Sequence, residues 1–355
     1  MGYTDISLWL SLVFMLGGLA ILAWSSDVFV DGAASLAKAL GISPFVIGMV
    51  IIGFGTSAPE LCVSAMSGIS GHANLSLGNA YGSCIFNIAV ILGVAVIIFP
   101  LVVKPSVSFV AGPALAAISI FSMWVLRDGV CSRIEAVILL MAFMILLPLY
   151  CWFDQKTKGG EDAEGVKEAK DKANAKWKQD PRYRRIERLK LAIATGKVIL
   201  GLGLLIGSSH FLVWGAVDFA KFVGVSDLVI GLTIVAAGTS LPELASAIAS
   251  ARRGEHEFVL GNIVGSNFFN TLAVVGLATV ISPLYPGPDG SPAFSHYILT
   301  RDLPIMTVLS LSIMAFGVNW KHPKWPGAIR RKEAFVWLAV FVGYTLLMFY
   351  QETHG

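Results

Sequence analysis

The stretch GFGTSAPE at residues 53–60 returns as AAGTSLPE at residues 236–243, 183 positions later in the chain. Residues 25–94 and 208–277 align without a gap and share 29 identities in 70 positions. The identities include Gly, Pro, Ser, Thr, Asn and Glu, which shared apolar composition alone does not produce. The chain is therefore an internal duplication, and its fold has to be considered as two related halves.

A second shared block follows each copy of the first. It reads GNAYGSCIFN at residues 78–87 and GNIVGSNFFN at residues 261–270. The duplicated cores extend over about 43–99 and 226–282. Polar residues therefore repeat in register within otherwise apolar sequence, which indicates a shared function for the two halves.

Composition places the duplication in a membrane. Of the 355 residues 55% are apolar and only 14% are charged, and the mean hydropathy is +0.73. Apolar runs of about 18 or more residues recur, which is typical of membrane-spanning helices and excludes a soluble globular protein. About ten spans are predicted, at roughly 7–37, 43–68, 74–99, 107–126, 132–152, 190–221, 226–250, 257–282, 302–318 and 333–350.

The charges divide the chain. The segment 154–190 contains 12 Lys/Arg and 8 Asp/Glu, which is 20 of the 49 charged residues of the chain. We expect an all-α polytopic membrane protein with a first five-helix repeat at 1–153 and a second at 190–355. A charged cytoplasmic linker at 154–189 would join them.

An odd number of spans in each repeat turns the second copy upside down, and loop charges indicate its orientation. With the linker in the cytoplasm both termini lie outside, and most loop cations then fall inside: Lys38, Lys104, Arg252, Arg253, Lys321, Lys324, Arg330, Arg331 and Lys332. Fewer fall outside: Arg127, Arg133, Lys221 and Arg301. Inverted repeats with polar, Gly/Pro-broken helices are typical of secondary transporters with a site near the midplane.

The prolines of the repeated block loosen the helix beside a glutamate. Pro59 cannot donate a hydrogen bond to the carbonyl of Gly55, and Pro242 cannot donate to that of Gly238. Carbonyls freed inside a membrane need another partner, and a bound cation is one. Glu60 and Glu243 are the most informative residues, because intramembrane carboxylates are costly and mark functional sites.

Each half offers oxygen ligands together with its glutamate. Thr56 and Ser57 share a helical face with Glu60, and Ser83 and Asn87 are four residues apart on a second helix. The second copy repeats the set as Thr239, Ser240, Glu243, Ser266 and Asn270. Such hard oxygen ligands suit Ca²⁺ and Na⁺ rather than zinc or copper. Considered alone, the hydroxyls fit a purely structural role as well as they fit a role in cation binding.

The two blocks resemble the paired repeats of the calcium:cation antiporter superfamily, nearest its prokaryotic sodium/calcium exchanger branch. Two G-T-S-x-P-E blocks, each followed by G-N-x-x-G-S-x-x-x-N, carry the resemblance over nearly the whole chain. It implies a multi-pass protein of a prokaryotic inner membrane. It also implies that the first and sixth helices slide as a pair across a rigid core.

The resemblance also implies a ligand set. Glu60 and Glu243, with the carbonyls of Thr56 and Thr239, would bind calcium. Asn87 and Asn270 would line the middle of the cavity. Flanking sodium sites would use serine hydroxyls and two further carbonyls, from Ser57, Ser83, Ser240, Ser266, Gly53 and Ala236.

Two positions bear on selectivity. Cys84 occurs where the second copy has Asn267 and the family usually has Asn, and a thiol is a weak hydrogen-bonding group. Some relatives, including potassium-dependent exchangers, carry Asp at position 87 or 270. Asn at both positions gives this site less negative charge than in those relatives. A neutral pair argues against potassium co-transport and leaves proton coupling to the two glutamates alone.

We therefore expect a secondary active antiporter that exchanges Ca²⁺ for Na⁺ by alternating access. Proton/calcium antiport on the same fold is the nearest alternative, followed by a potassium-dependent exchanger and a passive cation channel. An enzyme is not expected, because no intramembrane Ser/His/Asp, Ser/Lys or H-E-x-x-H set occurs. Neither a cofactor nor a nucleic-acid partner is predicted; the partners are Ca²⁺, Na⁺, with H⁺ for the alternative, and the lipid bilayer.

Overall fold

The computed structural model describes residues 8–40, 42–69, 73–158, 181–222, 236–286 and 292–354. Nearly all of them are helical. In the first half the helices are α1 (Leu8–Leu40), α2 (Pro44–Ile47), α3 (Phe54–Thr56), α4 (Ala58–Ile69), α5 (Ala73–Phe86), α6 (Gly93–Ile98), α7 (Pro105–Val125) and α8 (Arg133–Lys158). In the second half they are α9 (Pro181–Phe222), α10 (Ala236–Thr239), α11 (Leu241–Arg252), α12 (His256–Phe268), α13 (Val275–Ile281), α14 (Leu303–Gly317) and α15 (Arg331–His354).

Wider π-helical turns join several of these helices into continuous rods. They are π1 (Gly48–Gly53), π2 (Asn87–Leu92), π3 (Phe269–Val274) and π4 (Ile298–Asp302). π-helical turns are uncommon and occur often at functional sites. Here π2 begins at Asn87 and π3 contains Asn270, so these turns begin at the end of the second repeated block.

Local sequence explains where several helices begin. Ser43 caps α2, because the N–H of Val46 donates to its hydroxyl at 3.1 Å and Pro44 occupies the first helical position. Ser132 and Glu135 form a capping box before α8. The Ser132 N–H donates to the Glu135 carboxylate at 2.7 Å, and the Glu135 N–H donates to the Ser132 hydroxyl at 3.3 Å.

Eight helical stretches in the described residues are long and apolar enough to cross a membrane. A ninth is the pair formed by Pro44–Thr56 and Ala58–Ala65, which is bent by 42°. These nine agree with nine of the ten predicted spans. The remaining one, about 226–250, lies partly outside the described residues, although α11 is its second part.

The predicted charged linker at 154–189 contains helical residues at both of its ends. Helix α8 continues to Lys158 and α9 begins at Pro181, so helical structure extends into the predicted 154–189 segment. Residues 159–180 lie outside the described residues. The division of the chain into two five-helix repeats stays a prediction at these boundaries.

The long helices α1 and α9 pack antiparallel along their lengths. Small residues permit the close contact: a Cβ at Gly201 would lie 2.7 Å from the Phe29 backbone, and one at Gly215 would lie 2.6 Å from the Ser11 carbonyl. Such close backbone approach is typical of helix pairs in membranes. The two helices therefore form one tightly joined unit.

The rest of the molecule packs around α5, α12 and the π-helical turns. Helix α12 contacts π1 so closely that a Cβ at Gly265 would lie 2.1 Å from the Met49 carbonyl. Side chains of both halves share one buried apolar core, for example Ile88 with Ile263 and Leu272. The halves therefore interlock rather than meeting at a flat interface.

Two short strands were not predicted. β1 (Leu101–Val103) pairs antiparallel with β2 (Gly327–Ile329), with Val102 opposite Ala328. Three residues of extended chain are too few to produce an alternating pattern in sequence. The strands connect the end of α6 to the start of α15 and do not change the all-helical character of the membrane part.

Candidate cation site

Both intramembrane glutamates are completely buried at equivalent helix breaks. Glu60 lies in the first turn of α4 and Glu243 in the first turn of α11, each with a relative exposure of 0%. The residue at each break is a serine with non-helical backbone angles, φ −82° and ψ 7° for Ser57 and φ −94° and ψ 11° for Ser240. The predicted loosening beside Pro59 and Pro242 thus occurs in both copies.

The serines at the breaks hold the glutamates of the opposite half. Ser240 Oγ donates to Glu60 Oε1 at 2.8 Å, and Ser57 Oγ donates to Glu243 Oε1 at 3.1 Å. The two carboxylates are also close enough to interact electrostatically. This exchange of hydrogen bonds brings the two acidic groups into one place, as the duplicated sequence predicted.

Each glutamate keeps one oxygen that has no partner. Glu60 Oε2 and Glu243 Oε2 are buried and accept no hydrogen bond in the described part of the chain. The side-chain oxygens of Asn87 and Asn270 are also buried without a partner. Buried polar atoms are normally paired, and leaving one unpaired costs about 1–3 kcal/mol. Four such oxygens from both halves form a set that a cation could satisfy.

Two asparagines anchor the backbone of the glutamates. Asn79 Nδ2 donates to the Glu60 carbonyl at 3.1 Å and to Ser64 Oγ at 2.9 Å. Asn262 Nδ2 donates to the Glu243 carbonyl at 3.3 Å. These two asparagines are repeat partners, and no role was predicted for them. The sequence feature that could have indicated this role is the equal spacing of 19 residues between the glutamate and the asparagine in the two copies.

The predicted ligand residues Thr56 and Gly53 contact residues of the second half. Thr56 is buried, and its hydroxyl donates to the Ile52 carbonyl at 2.9 Å and lies 3.3 Å from Asn262 Oδ1. Ser266 Oγ donates to the Gly53 carbonyl at 3.3 Å. Glycine at 53 permits this approach, because a Cβ there would lie 2.8 Å from the Ser266 backbone nitrogen.

The remaining predicted residues lie on the same elements. Ser83 is buried on α5, one turn before Asn87. Ala236 begins α10 and Thr239 ends it, directly before Ser240. The carbonyl of Gly238, which Pro242 leaves without a helical donor, accepts a hydrogen bond from Ser209 Oγ of α9 at 3.0 Å.

The second repeated blocks meet at their equivalent positions 84 and 267. Asn267 Nδ2 donates to the Cys84 carbonyl at 3.2 Å, and Cys84 Sγ lies 3.8 Å from the Asn267 carbonyl. The contact of a residue with its own repeat partner marks the pseudo-twofold axis between the halves. Helix α4 packs against π3 and α11 packs against π2, so each glutamate helix contacts the asparagine turn of the other copy.

No group of three or more His, Cys, Asp or Glu side chains suited to a metal occurs in the part of the chain that the structure describes. The site is instead an array of carboxylate, amide, hydroxyl and carbonyl oxygens. Such an array suits hard cations. A family model described as "Sodium/calcium exchanger protein" matches residues 10–152 and 193–350.

The chain belongs to the sodium/calcium exchanger protein family. It is 35% identical over 338 residues to CaxA of Alkalimonas amylolytica, which covers 95% of this chain and 98% of the relative. It is 29% identical over 376 aligned positions to the sodium/calcium exchanger MaX1 of Methanosarcina acetivorans, covering 95% and 98%. Among solved structures, the sodium-calcium exchanger NCX_Mj soaked with 10 mM Na⁺ and 10 mM Sr²⁺ matches with a TM-score of 0.73 and 28% identity, covering 94% and 97%.

These findings confirm the fold prediction. A multi-pass helical membrane protein of the exchanger family was expected from the duplicated block, and the structural match extends over almost the entire chain. The individual ligands stay predictions. They come from both halves and lie on the elements next to the two helix breaks.

Proposed function

We propose that this exchanger family member is a secondary active antiporter that moves Ca²⁺ against Na⁺ at the buried site around Glu60 and Glu243. One observation carries the proposal: four buried oxygens without partners, two carboxylate and two amide, come equally from the two halves. A transported cation supplies the missing partner for all four. The proposed activity is transport and involves no chemical conversion of a substrate.

The ligand assignment follows the family resemblance, and the burial of both glutamates at the two helix breaks supports it. We assign Ca²⁺ to Glu60 and Glu243 with the carbonyls of Thr56 and Thr239. Asn87 and Asn270 complete the middle of the cavity through their amide oxygens. Sodium ions would occupy flanking positions made by the serine hydroxyls and two carbonyls, from Ser57, Ser83, Ser240, Ser266, Gly53 and Ala236.

Charge explains how the two fluxes are coupled. Two ionised glutamates carry a charge of −2, which one Ca²⁺ neutralises, and several Na⁺ could occupy the same site instead. Occupation by one kind of ion excludes the other, and this competition couples the fluxes if the empty site does not change its exposure readily. The tightly joined helices α1 and α9 are the part that we propose to slide across the core.

We further propose the orientation that the loop charges favour. The linker between α8 and α9 would be cytoplasmic, and both termini would lie outside a prokaryotic inner membrane. The excess of Lys and Arg in the loops on the linker side supports this arrangement.

The decisive experiment is calcium uptake by purified protein in sealed vesicles, with Na⁺, H⁺ and K⁺ gradients imposed one at a time. Outward sodium gradients are expected to drive uptake, and a pH gradient without sodium is not. Uptake driven by the pH gradient alone would replace sodium with protons as the coupling ion. Uptake without any counter-ion gradient would indicate a channel, and a requirement for K⁺ together with Na⁺ would indicate a potassium-dependent exchanger.

A further inference from the structure

Asn267 holds the amide of Asn87 in one orientation. Asn87 Nδ2 donates to Asn267 Oδ1 at 3.0 Å, while Asn267 Nδ2 is itself fixed by the Cys84 carbonyl at 3.2 Å. Both residues have a relative exposure of 0%. With its nitrogen engaged, Asn87 has only its oxygen Oδ1 left unpartnered. Asn87 therefore offers its side-chain oxygen to a cation in one fixed orientation.

The equivalent contact is missing in the other half. By the repeat, Asn270 Nδ2 should donate to a side-chain acceptor at position 84, but Cys84 has only a thiol. Its Sγ lies 3.5 Å from Thr271 Oγ1, a hydroxyl that has no counterpart because the first copy has Ile88 there. Both Asn270 Nδ2 and Asn270 Oδ1 are buried without a partner in the described residues.

We infer that Cys84 leaves the Asn270 amide free to turn, which makes Asn270 the adjustable ligand and Asn87 the fixed ligand of one asymmetric site. This inference rests on the proposed function, since it concerns how the cavity binds cations. An amide bonded through its nitrogen points its oxygen into the cavity before the cation arrives. An unbonded amide must be oriented on binding, and this lowers affinity.

Position 84 thus acts as a positioning residue for Asn270. Cys84→Asn would supply the missing acceptor, since the reciprocal contacts at 84 and 267 already place the two backbones symmetrically. Asn267→Cys would have the opposite effect, because it would remove the oxygen that accepts the hydrogen bond of Asn87 Nδ2. Cys84→Ala is the matched control, since it removes the thiol without adding an acceptor.

The first experiment measures the hydrogen bond without any cation. Thermal unfolding of the detergent-purified protein is followed in Na⁺- and Ca²⁺-free buffer for wild type, Cys84→Asn, Asn270→Ala and the double variant. Cys84→Asn is expected to raise the unfolding midpoint by about 1–4 °C. The increase should disappear in the Asn270→Ala background, and Cys84→Ala should show no such coupling.

The second experiment measures affinity in vesicles. Cys84→Asn is expected to lower the KM for Ca²⁺ by about threefold to tenfold, the effect of one hydrogen bond. Asn267→Cys is expected to raise it by a similar factor. Asn270→Ala should remove the effect of Cys84→Asn, which a purely structural role of position 84 would not predict.

Equal midpoint shifts from Cys84→Asn in the presence and absence of Asn270 would overturn the inference. An unchanged KM in Asn267→Cys would also overturn it. If Cys84→Asn fails to fold, the mirror cycle of Asn267→Cys with Asn87→Ala decides the question in the same way. A wild-type protein without sodium-driven uptake would refute the proposed function, whereas the thermal cycle would still test the bond between positions 84 and 270.

Discussion

Two serines and two glutamates determine the geometry of the site at the residue scale. Each glutamate accepts a hydrogen bond through Oε1 from a serine of the other half and leaves Oε2 free. A carboxylate oriented by one oxygen presents the other in a defined direction. The serines therefore orient the glutamates, in addition to the sodium binding that we propose for them.

Removing one charge at this site should stop calcium transport. Glu60→Gln or Glu243→Gln is expected to reduce sodium-driven calcium uptake more than a hundredfold, because the remaining charge of −1 cannot neutralise Ca²⁺ in a buried cavity. Folding should survive, since glutamine can still accept the serine hydrogen bond. Uptake in vesicles and gel-filtration profiles measure the two effects.

Glu255→Gln, the same chemical change just before α12, serves as the control and should retain uptake. Near-normal flux in either buried-site variant would contradict the assignment of the glutamates. Because crossed bonds occur in both halves, each of the two variants is expected to lose uptake.

The repeated block was sufficient to predict most of the site residues but not how they bond. Spacing within one helix predicts which side chains share its face, as for Thr56, Ser57 and Glu60. The contact of Ser57 with Glu243 depends on how the halves interlock, and no periodicity within a half contains that information. The roles of Asn79 and Asn262 were missed for the same reason.

At the scale of the element, the important feature is the break before α4 and before α11. Each break places a proline directly before a glutamate and leaves a serine in a non-helical conformation. The first of the two bends the helix pair by 42°. After this bend, the first turn of α4 carries Glu60, which accepts the hydrogen bond of Ser240 from the other half.

Straightening this helix should impair transport. Pro59→Ala restores a donor to the Gly55 carbonyl and is expected to lower calcium uptake at least tenfold, because Glu60 would be displaced relative to Ser240. The unfolding midpoint should stay the same or rise, because a helical hydrogen bond is gained. Vesicle uptake and thermal unfolding measure the two quantities.

Pro113→Ala provides the control, since Pro113 also lies inside a membrane helix, α7, away from the site. It should leave uptake unchanged. A loss of uptake in Pro113→Ala equal to that in Pro59→Ala would mean that the bend has no special role.

Most elements could be predicted because membrane helices need long apolar sequences, and nine spans were found close to their predicted limits. The π-helical turns could not be predicted, since one extra residue in a turn does not change the apolar pattern visibly. The pairing of β1 with β2 also escaped prediction. Their partners are more than 220 residues apart, and each strand has only three residues.

At the scale of the whole molecule, α1 and α9 form one unit that contacts the core through charged groups on the linker side. Arg253 at the end of α11 donates to Asp31 Oδ1 at 3.0 Å and to the Asp27 carbonyl at 2.9 Å. Lys197 of α9 pairs with Asp31 Oδ2 at 2.6 Å. This ionic cluster connects α11 with the pair of helices α1 and α9, which is the unit that we propose to slide.

Weakening the ionic cluster should loosen this connection. Arg253→Gln is expected to increase deuterium uptake in residues 27–40 of α1 and at the end of α11, because the contacts of Arg253 with Asp27 and Asp31 are lost. The effect on stability should be small, below about 1 kcal/mol, since the groups are partly exposed. Hydrogen–deuterium exchange with mass spectrometry measures the deuterium uptake of both segments.

Arg330→Gln, a change at an exposed arginine before α15, is the control and should leave exchange in α1 unchanged. Unaltered exchange in Arg253→Gln would contradict a restraining role for the cluster.

The ionic cluster has no repeat counterpart, since the positions equivalent to Asp27 and Asp31 are His210 and Trp214. The duplicated architecture therefore does not make the two membrane faces kinetically alike. In the described residues these ionic contacts join α1 and α9 to α11, and the acidic residues that make them have no acidic equivalent in the other copy. Turnover numbers and half-saturation concentrations therefore need not match when ions are offered from opposite compartments. Thermodynamics still fixes the reversal potential from stoichiometry and gradients alone, and the asymmetry acts solely on how fast each direction runs.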